Sequence, residues 1–164
     1  TSQAFDLIRY AEILLNYAEA ANEYYGPDHE DVLGGQVVSP YEVLKLLRKR
    51  AGIEPGDDGM YGIKQNMTYD EMKEAIRLER RIELAFEGHR FFDVRRWMIA
   101  PQVLRANVRE GLNVQGAGMN PSFSALNQRT VINQQFQWSN RMYLWPIKSN
   151  EIYNNPQLVQ APEY

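Results

Sequence analysis

Cysteine is absent from the 164 residues, and histidine occurs only at His29 and His89. The first absence excludes disulfides, thiolate-held metals and cysteine nucleophiles. The second excludes a histidine-rich metal site. Long apolar runs are missing as well. None approaches the ~20 residues of a membrane-crossing helix, and no signal peptide opens the chain. The opening TSQAFDLIRYAEILL reads as a helix entered part-way, as expected of a fragment or the tail of a longer polypeptide. Nor is there an excess of positive charge: 18 Lys and Arg against 21 Asp and Glu leave −3. With no basic patch, nothing points to nucleic acid or an anionic membrane surface. G-x-S-x-G, H-E-x-x-H and P-loop patterns do not occur.

What remains is an ordinary folded composition, 44% apolar, with 12% aromatic residues that include ten Tyr and three Trp. A first helix is predicted from Phe5 to Tyr24, because Leu7, Ile8, Ala11, Leu14, Leu15, Ala18 and Ala21 recur at steps of three and four. Its repeated YAE triplets, 10–12 and 17–19, set Tyr10, Tyr17 and Tyr24 along one flank and Glu12 and Glu19 along the other. Gly26-Pro27 ends it. Ser39 and Glu42 have capping-box spacing around Pro40 and announce a second helix that stops at Gly52. Residues 54–62, EPGDDGMYG, form a loop. Thr68 and Glu71 make a second box, opening a helix expected to run to Glu87 and stop at Gly88. A fourth helix is expected from Arg90 to Met98. Beyond Pro101 the chain turns polar, with short strands predicted at Thr130–Phe136 and Met142–Ile147. The fold class is therefore mainly α: helical hairpins over 5–52 and 68–99, then an irregular region over 100–164 with short β-strands, all within a single domain spanning 1–164.

The stretch ERRIELAFEGHRFFDVRRW, 79–97, carries ten ionisable side chains in nineteen residues. At ~100° per residue, Met72, Ala75, Ile76, Leu78, Ile82, Ala85 and Phe86 share one broad face of the third helix. Glu79 falls inside that face, with Glu83 and Glu87 along its margin. Carboxylates so placed need partners. Arg9, Arg90, Arg95 and Arg96 are the guanidinium groups at hand, and their forks suit bidentate pairing. The expectation is a structural ion network locking two hairpins together. A catalytic reading needs two acids facing each other across an open cleft. A helical di-metal reading needs Glu-x-x-His, whereas Glu87-Gly88-His89 has the wrong spacing at a helix break. No enzyme, metal or cofactor is implied, although a hydrolase using glutamates of the third helix stays open as an alternative.

Three segments carry a resemblance. RRIELAFEGHRFFDVRRW (80–97) resembles the hallmark segment of the SusD/RagB family, LIRYAEILLNYAEAANEY (7–24) its first C-terminal helix, and YLWPIKSNEIYNNPQLVQAPEY (143–164) its closing segment. They stand in the family's order. Lys148 departs from the family's frequent second Pro, and Pro162-Glu163-Tyr164 from its usual Gly-Tyr ending. The family's signal peptide, lipidated N-terminal cysteine and first helical repeats have no counterpart here, so the resemblance is to the C-terminal part. It implies tetratricopeptide-like hairpins, although the two here begin further apart than the ~34-residue repeat. It also implies surface exposure at the outer membrane through a lipid anchor not present in this chain. The activity implied is non-enzymatic capture of an oligosaccharide, polysaccharide or peptide. The implied partner is a TonB-dependent outer-membrane channel of the SusC type, over which such proteins act as a lid. The alternative is a helical-repeat scaffold that grips peptide or channel loops without glycan. Sugar capture wants exposed aromatic faces beside amide or acidic partners. Tyr24, Tyr25, Tyr61 and Trp138, the last with Gln137 and Asn140, are the ligand-binding candidates. Trp97 and Trp145 are expected in the core.

Overall fold

A computed structural model of the chain describes residues 8–104, 110–112, 129–131 and 138–164. The chain falls into two compact units, Thr1–Arg90 and Phe91–Tyr164. The described elements are six helices, one 3-10 turn and two short hairpins, so the protein is mainly α.

The first unit is built on α1 (Tyr10–Tyr24), α2 (Pro40–Arg50) and α3 (Tyr69–Glu83). Ala11, Leu15, Ala18 and Ala21 form the buried side of α1. Their small side chains let neighbouring helices approach closely. Asn22 is buried on the same side and donates its amide to the Tyr69 carbonyl at 3.2 Å, which ties α1 to the start of α3. Leu15, Val43, Leu44, Met72 and Ile76 are almost fully buried and make the core. Burying an aliphatic side chain of this size contributes about 1.5–3 kcal/mol. The loop between α2 and α3 adds Met60, Ile63 and Met67 to that core, a contribution its Gly- and Asp-rich composition hides. A two-stranded antiparallel hairpin, β1 (Asp31–Leu33) with β2 (Gln36–Val38), connects α1 to α2.

Both predicted helix starts are present, but only one is a complete box. Thr68 accepts from the Glu71 amide while the Glu71 carboxylate accepts from the Thr68 amide. At α2 the Ser39 hydroxyl accepts from the Glu42 amide at 3.2 Å, and the Glu42 carboxylate instead takes Lys45 at 2.7 Å. Helix α3 ends at Glu83, four residues short of the expected stop. Leu84 turns into the core, and the chain crosses to positive φ at Phe86 (66°) and Gly88 (84°). The broad apolar face expected on α3 is also narrower. Met72, Ile76, Glu79 and Arg80 are buried, while Leu78, Ile82 and Phe86 are exposed. At ~100° per residue, Leu78 lies roughly 120° round from Met72, beyond the arc that α1 and α2 cover.

Helix α4 (His89–Arg96) starts one residue before the expected Arg90 and ends two before Met98; α5 (Ala100–Val103) follows. In the second unit Asp93, Val94 and Ala100 are buried. β3 (Glu110–Leu112) pairs antiparallel with β4 (Arg129–Val131), Gly111 opposite Thr130. The remainder of the predicted strand to Phe136 lies outside the described residues. The strand predicted at Met142–Ile147 is not there. A 3-10 turn, Asn140–Tyr143, leads into extended chain, and α6 (Ser149–Asn154) follows. The alternating apolar pattern finds no ladder partner among the described residues. The Gln160 side chain takes that place, accepting from the Ile147 amide at 2.8 Å and donating to its carbonyl at 3.0 Å. Among the described residues, no helix is long and apolar enough to cross a membrane.

Candidate functional site

The charged segment is filled from within the first unit. Arg9 donates to both oxygens of Glu87, Nε to Oε2 at 3.0 Å and Nη2 to Oε1 at 2.8 Å. It also reaches the Glu83 carboxylate at 3.1 Å and the Glu83 carbonyl at 2.8 Å. The bond donated by Arg9 holds the Glu87 carboxyl below the usual carboxylate range, against the upward push of burial. Arg50 takes both oxygens of Glu83, at 2.8 and 2.6 Å. Glu79, only 7% exposed, accepts from Arg48 Nε at 2.9 Å. Arg48 also donates to the Tyr61 carbonyl at 3.1 Å.

The cations on Glu79 and Glu83 are thus mostly those of α2, from the run RKR that closes that helix. Spacing along α3 and α4 alone could not single them out. Of the other arginines expected in this network, Arg95 meets Phe91 and Trp138, and Arg96 meets Asp93 and Trp97. The Arg95 guanidinium lies 3.5 Å from the Phe91 ring centre and donates to the Phe91 carbonyl at 3.0 Å. Arg96 Nε holds Asp93 at 2.9 Å. Arg90 is half-buried in α4. Among the described residues no group of three or more His, Asp and Glu side chains is placed to hold a metal ion.

The aromatic candidates stand in three places. Tyr24 and Tyr25 are exposed at the end of α1, edge to face at 4.5 Å. Tyr25 lies flat on the His29 ring at 3.7 Å. His29 in turn meets Asp31 at 3.1 Å, and Asp31 accepts from the Tyr17 hydroxyl at 2.7 Å. Tyr61 is half-buried at φ 55°, its amide donated to the Pro55 carbonyl. Those bonds anchor the backbone of the loop at Tyr61.

Trp138 and Asn140 belong to the second unit, where Asn140 lines an open cleft and Trp138 packs on Tyr143, another of its walls. Its volume is about 550 Å³, and Met98, Asn140, Arg141, Tyr143, Leu144 and Glu163 are among its walls. The Trp138 ring packs edge-on to Tyr143 at 4.8 Å, and its buried indole N–H has no acceptor among the described residues. The Arg141 amide donates to Glu163 at 3.1 Å, and its guanidinium lies 5.5 Å from the Tyr164 ring centre. The cleft therefore sets an aromatic and aliphatic wall beside amide, guanidinium and carboxylate groups. Gln137 lies outside the described residues. Tyr143 escaped the sequence reading because it fell in the strand expected at Met142–Ile147, and Arg141 and Glu163 because no motif marked them. Trp145, expected in the core, is 74% exposed, and Trp97 is half-buried.

Comparison with known proteins bears on the whole chain. The sequence model of the SusD family matches residues 1–164. SusD-like protein P2 of Formosa agariphila is 32% identical over 152 residues, 93% of this chain and 24% of that protein. SusD-like protein P38 of the same organism is 27% identical over 159 residues, again 24% of its length. Among solved structures, BT4246 superimposes with a TM-score of 0.75 at 40% identity, covering 100% of this chain and 24% of that one. A SusD-like protein from Bacteroides fragilis, BF3747, gives 0.70 at 30% identity, covering 98% of this chain and 26% of that one. The chain thus spans about a quarter of the length of the relatives it matches. With its helices, its hallmark stretch and its closing segment all matched in one alignment, the chain belongs to the SusD family.

Proposed function

We propose that the polypeptide containing this chain captures glycan oligomers at the bacterial cell surface, without turning them over, for uptake through a SusC-type TonB-dependent channel of the outer membrane. Residues 1–164 act in it as one C-terminal domain, and a lipid anchor elsewhere in the polypeptide holds it to the membrane. The observation that carries this reading is the family match over the full 164 residues. Two features of the chain support it. The glutamates of the hallmark stretch are occupied by guanidinium groups, which suits a framework better than a reacting centre. The cleft walled by Tyr143 and Leu144, with Trp138 packed on Tyr143, has the make-up of a sugar site: an aromatic and aliphatic wall for the apolar C–H face of a pyranose, with Asn140, Arg141 and Glu163 for its hydroxyls. Tyr24 and Tyr25 offer a second exposed aromatic surface.

Calorimetric titration with a panel of neutral and acidic oligosaccharides tests this. At least one glycan is expected to bind. Trp138→Ala should weaken it roughly tenfold, about 1.4 kcal/mol, and Tyr61→Ala should leave it unchanged. Binding that survives Trp138→Ala, Asn140→Ala and Tyr24→Ala alike would remove these residues from the site. Turnover of a bound glycoside, abolished by Glu83→Gln, would replace binding by hydrolysis.

A further inference from the structure

Arg95, near the end of α4, meets rings where Arg48 and Arg50 meet carboxylates. Its guanidinium lies 3.5 Å from the Phe91 ring centre and 5.6 Å from the Trp138 ring centre. Nη1 donates to the Phe91 carbonyl, one turn back, at 3.0 Å. Nε is buried and has no hydrogen-bond partner among the described residues. Among them no carboxylate pairs with this arginine either. The electron-rich ring faces therefore stabilise the cation, and a flat guanidinium stacks on such faces as an ammonium cannot.

The contacts run on to the cleft. Trp138 meets Tyr143 edge to face at 4.8 Å, and Tyr143 is one of the walls. Phe91 also faces Trp145, at 6.2 Å. Helix α4 is thus joined through rings to a segment with little regular structure of its own. That segment has only the 3-10 turn Asn140–Tyr143, closed by short bonds such as the one from the Met142 amide to the Ser139 carbonyl at 2.9 Å. A binding wall is held more precisely by a helix than by a loop. We propose that Arg95 is a positioning residue for the cleft. Its guanidinium, lodged between Phe91 and Trp138, sets the Trp138 ring, and that ring sets Tyr143 against the bound glycan. This role rests on the reading of the cleft as a glycan site, and Arg95 itself touches no ligand.

The test titrates the oligosaccharide of the calorimetric panel that binds wild type most tightly. Arg95→Lys keeps the charge and loses the flat fork, whereas Arg95→Ala loses both. Binding should weaken roughly threefold in the first and up to about tenfold in the second. In a Trp138→Ala background the same substitutions should change affinity by less than about twofold, because their effect passes through that ring. Without glycan, Arg95→Lys should move the Trp138 indole N–H and Tyr143 ring resonances and leave the amides of α1 to α3 in place. Should Trp138→Ala weaken binding while both Arg95 variants bind as wild type, the role is overturned. Losses that persist in full without Trp138 would also overturn it, since they mark an effect on the fold at large, and so would unmoved Trp138 and Tyr143 resonances. Binding that ignores Trp138→Ala, or a panel in which nothing binds, would instead remove the glycan site itself, and the role of Arg95 with it.

Discussion

Two ion pairs show how much position decides at the scale of single residues. Glu79 and Arg48 are largely desolvated, whereas Lys45 and Glu42 meet on the open face of α2. Removing one partner of a buried pair leaves the other charge stranded, so Glu79→Ala should lower unfolding free energy by about 3–5 kcal/mol. Lys45→Ala should change it by less than about 1 kcal/mol. Urea titration of both variants checks the contrast, and equal losses would contradict it. The Tyr17 hydroxyl is a second case. Burial, helped by its bond to Asp31, pushes its pKa up to about 12. The unfolded value is about 10. Because the folded state holds this proton more tightly, its stabilising contribution is complete below pH ~10 and fades as pH rises through 12. The stability difference between wild type and Tyr17→Phe should therefore shrink from pH 9 to pH 12. A difference that stays constant across that range would refute the assignment.

Elements carry their own predictions. Thr68 closes a reciprocal box at the start of α3, so Thr68→Ala should cost about 1 kcal/mol in urea titration. Phe86 sits fully exposed at φ 66°, a conformation costly for a bulky residue. Phe86→Gly should leave this chain as stable as wild type or raise its melting temperature. A clear loss of stability would show that the ring packs in a way its exposure does not suggest. These elements were legible from the sequence to different degrees. Ser39, Thr68 and the glycines mark starts and stops because capping and positive φ are local chemistry. The early end of α3 was not legible, because Leu84 leaves the helix to enter a core that distant helices create. Arg48 and Arg50 stayed hidden as partners for the same reason: their meeting with Glu79 and Glu83 depends on how α2 lies against α3, not on spacing along either. The false strand at Met142–Ile147 shows the limit of alternation as a signal where a glutamine side chain can satisfy the backbone.

For the whole molecule, the central claim divides the labour between two kinds of segment. On the proposed reading, the charged hallmark stretch frames the protein, and the segment around Trp138 and Tyr143 meets the ligand. At 19.1 kDa the chain is small enough for residue-resolved nuclear magnetic resonance. The decisive measurement is an amide and indole shift map of the labelled chain, recorded with and without an oligosaccharide that binds it. Shifts should concentrate at the Trp138 indole, the amides of Asn140–Leu144 and the terminal Glu163, with the amides of Glu79–Glu87 unmoved. Shifts centred on Glu79, Glu83 and Glu87 instead would contradict the account.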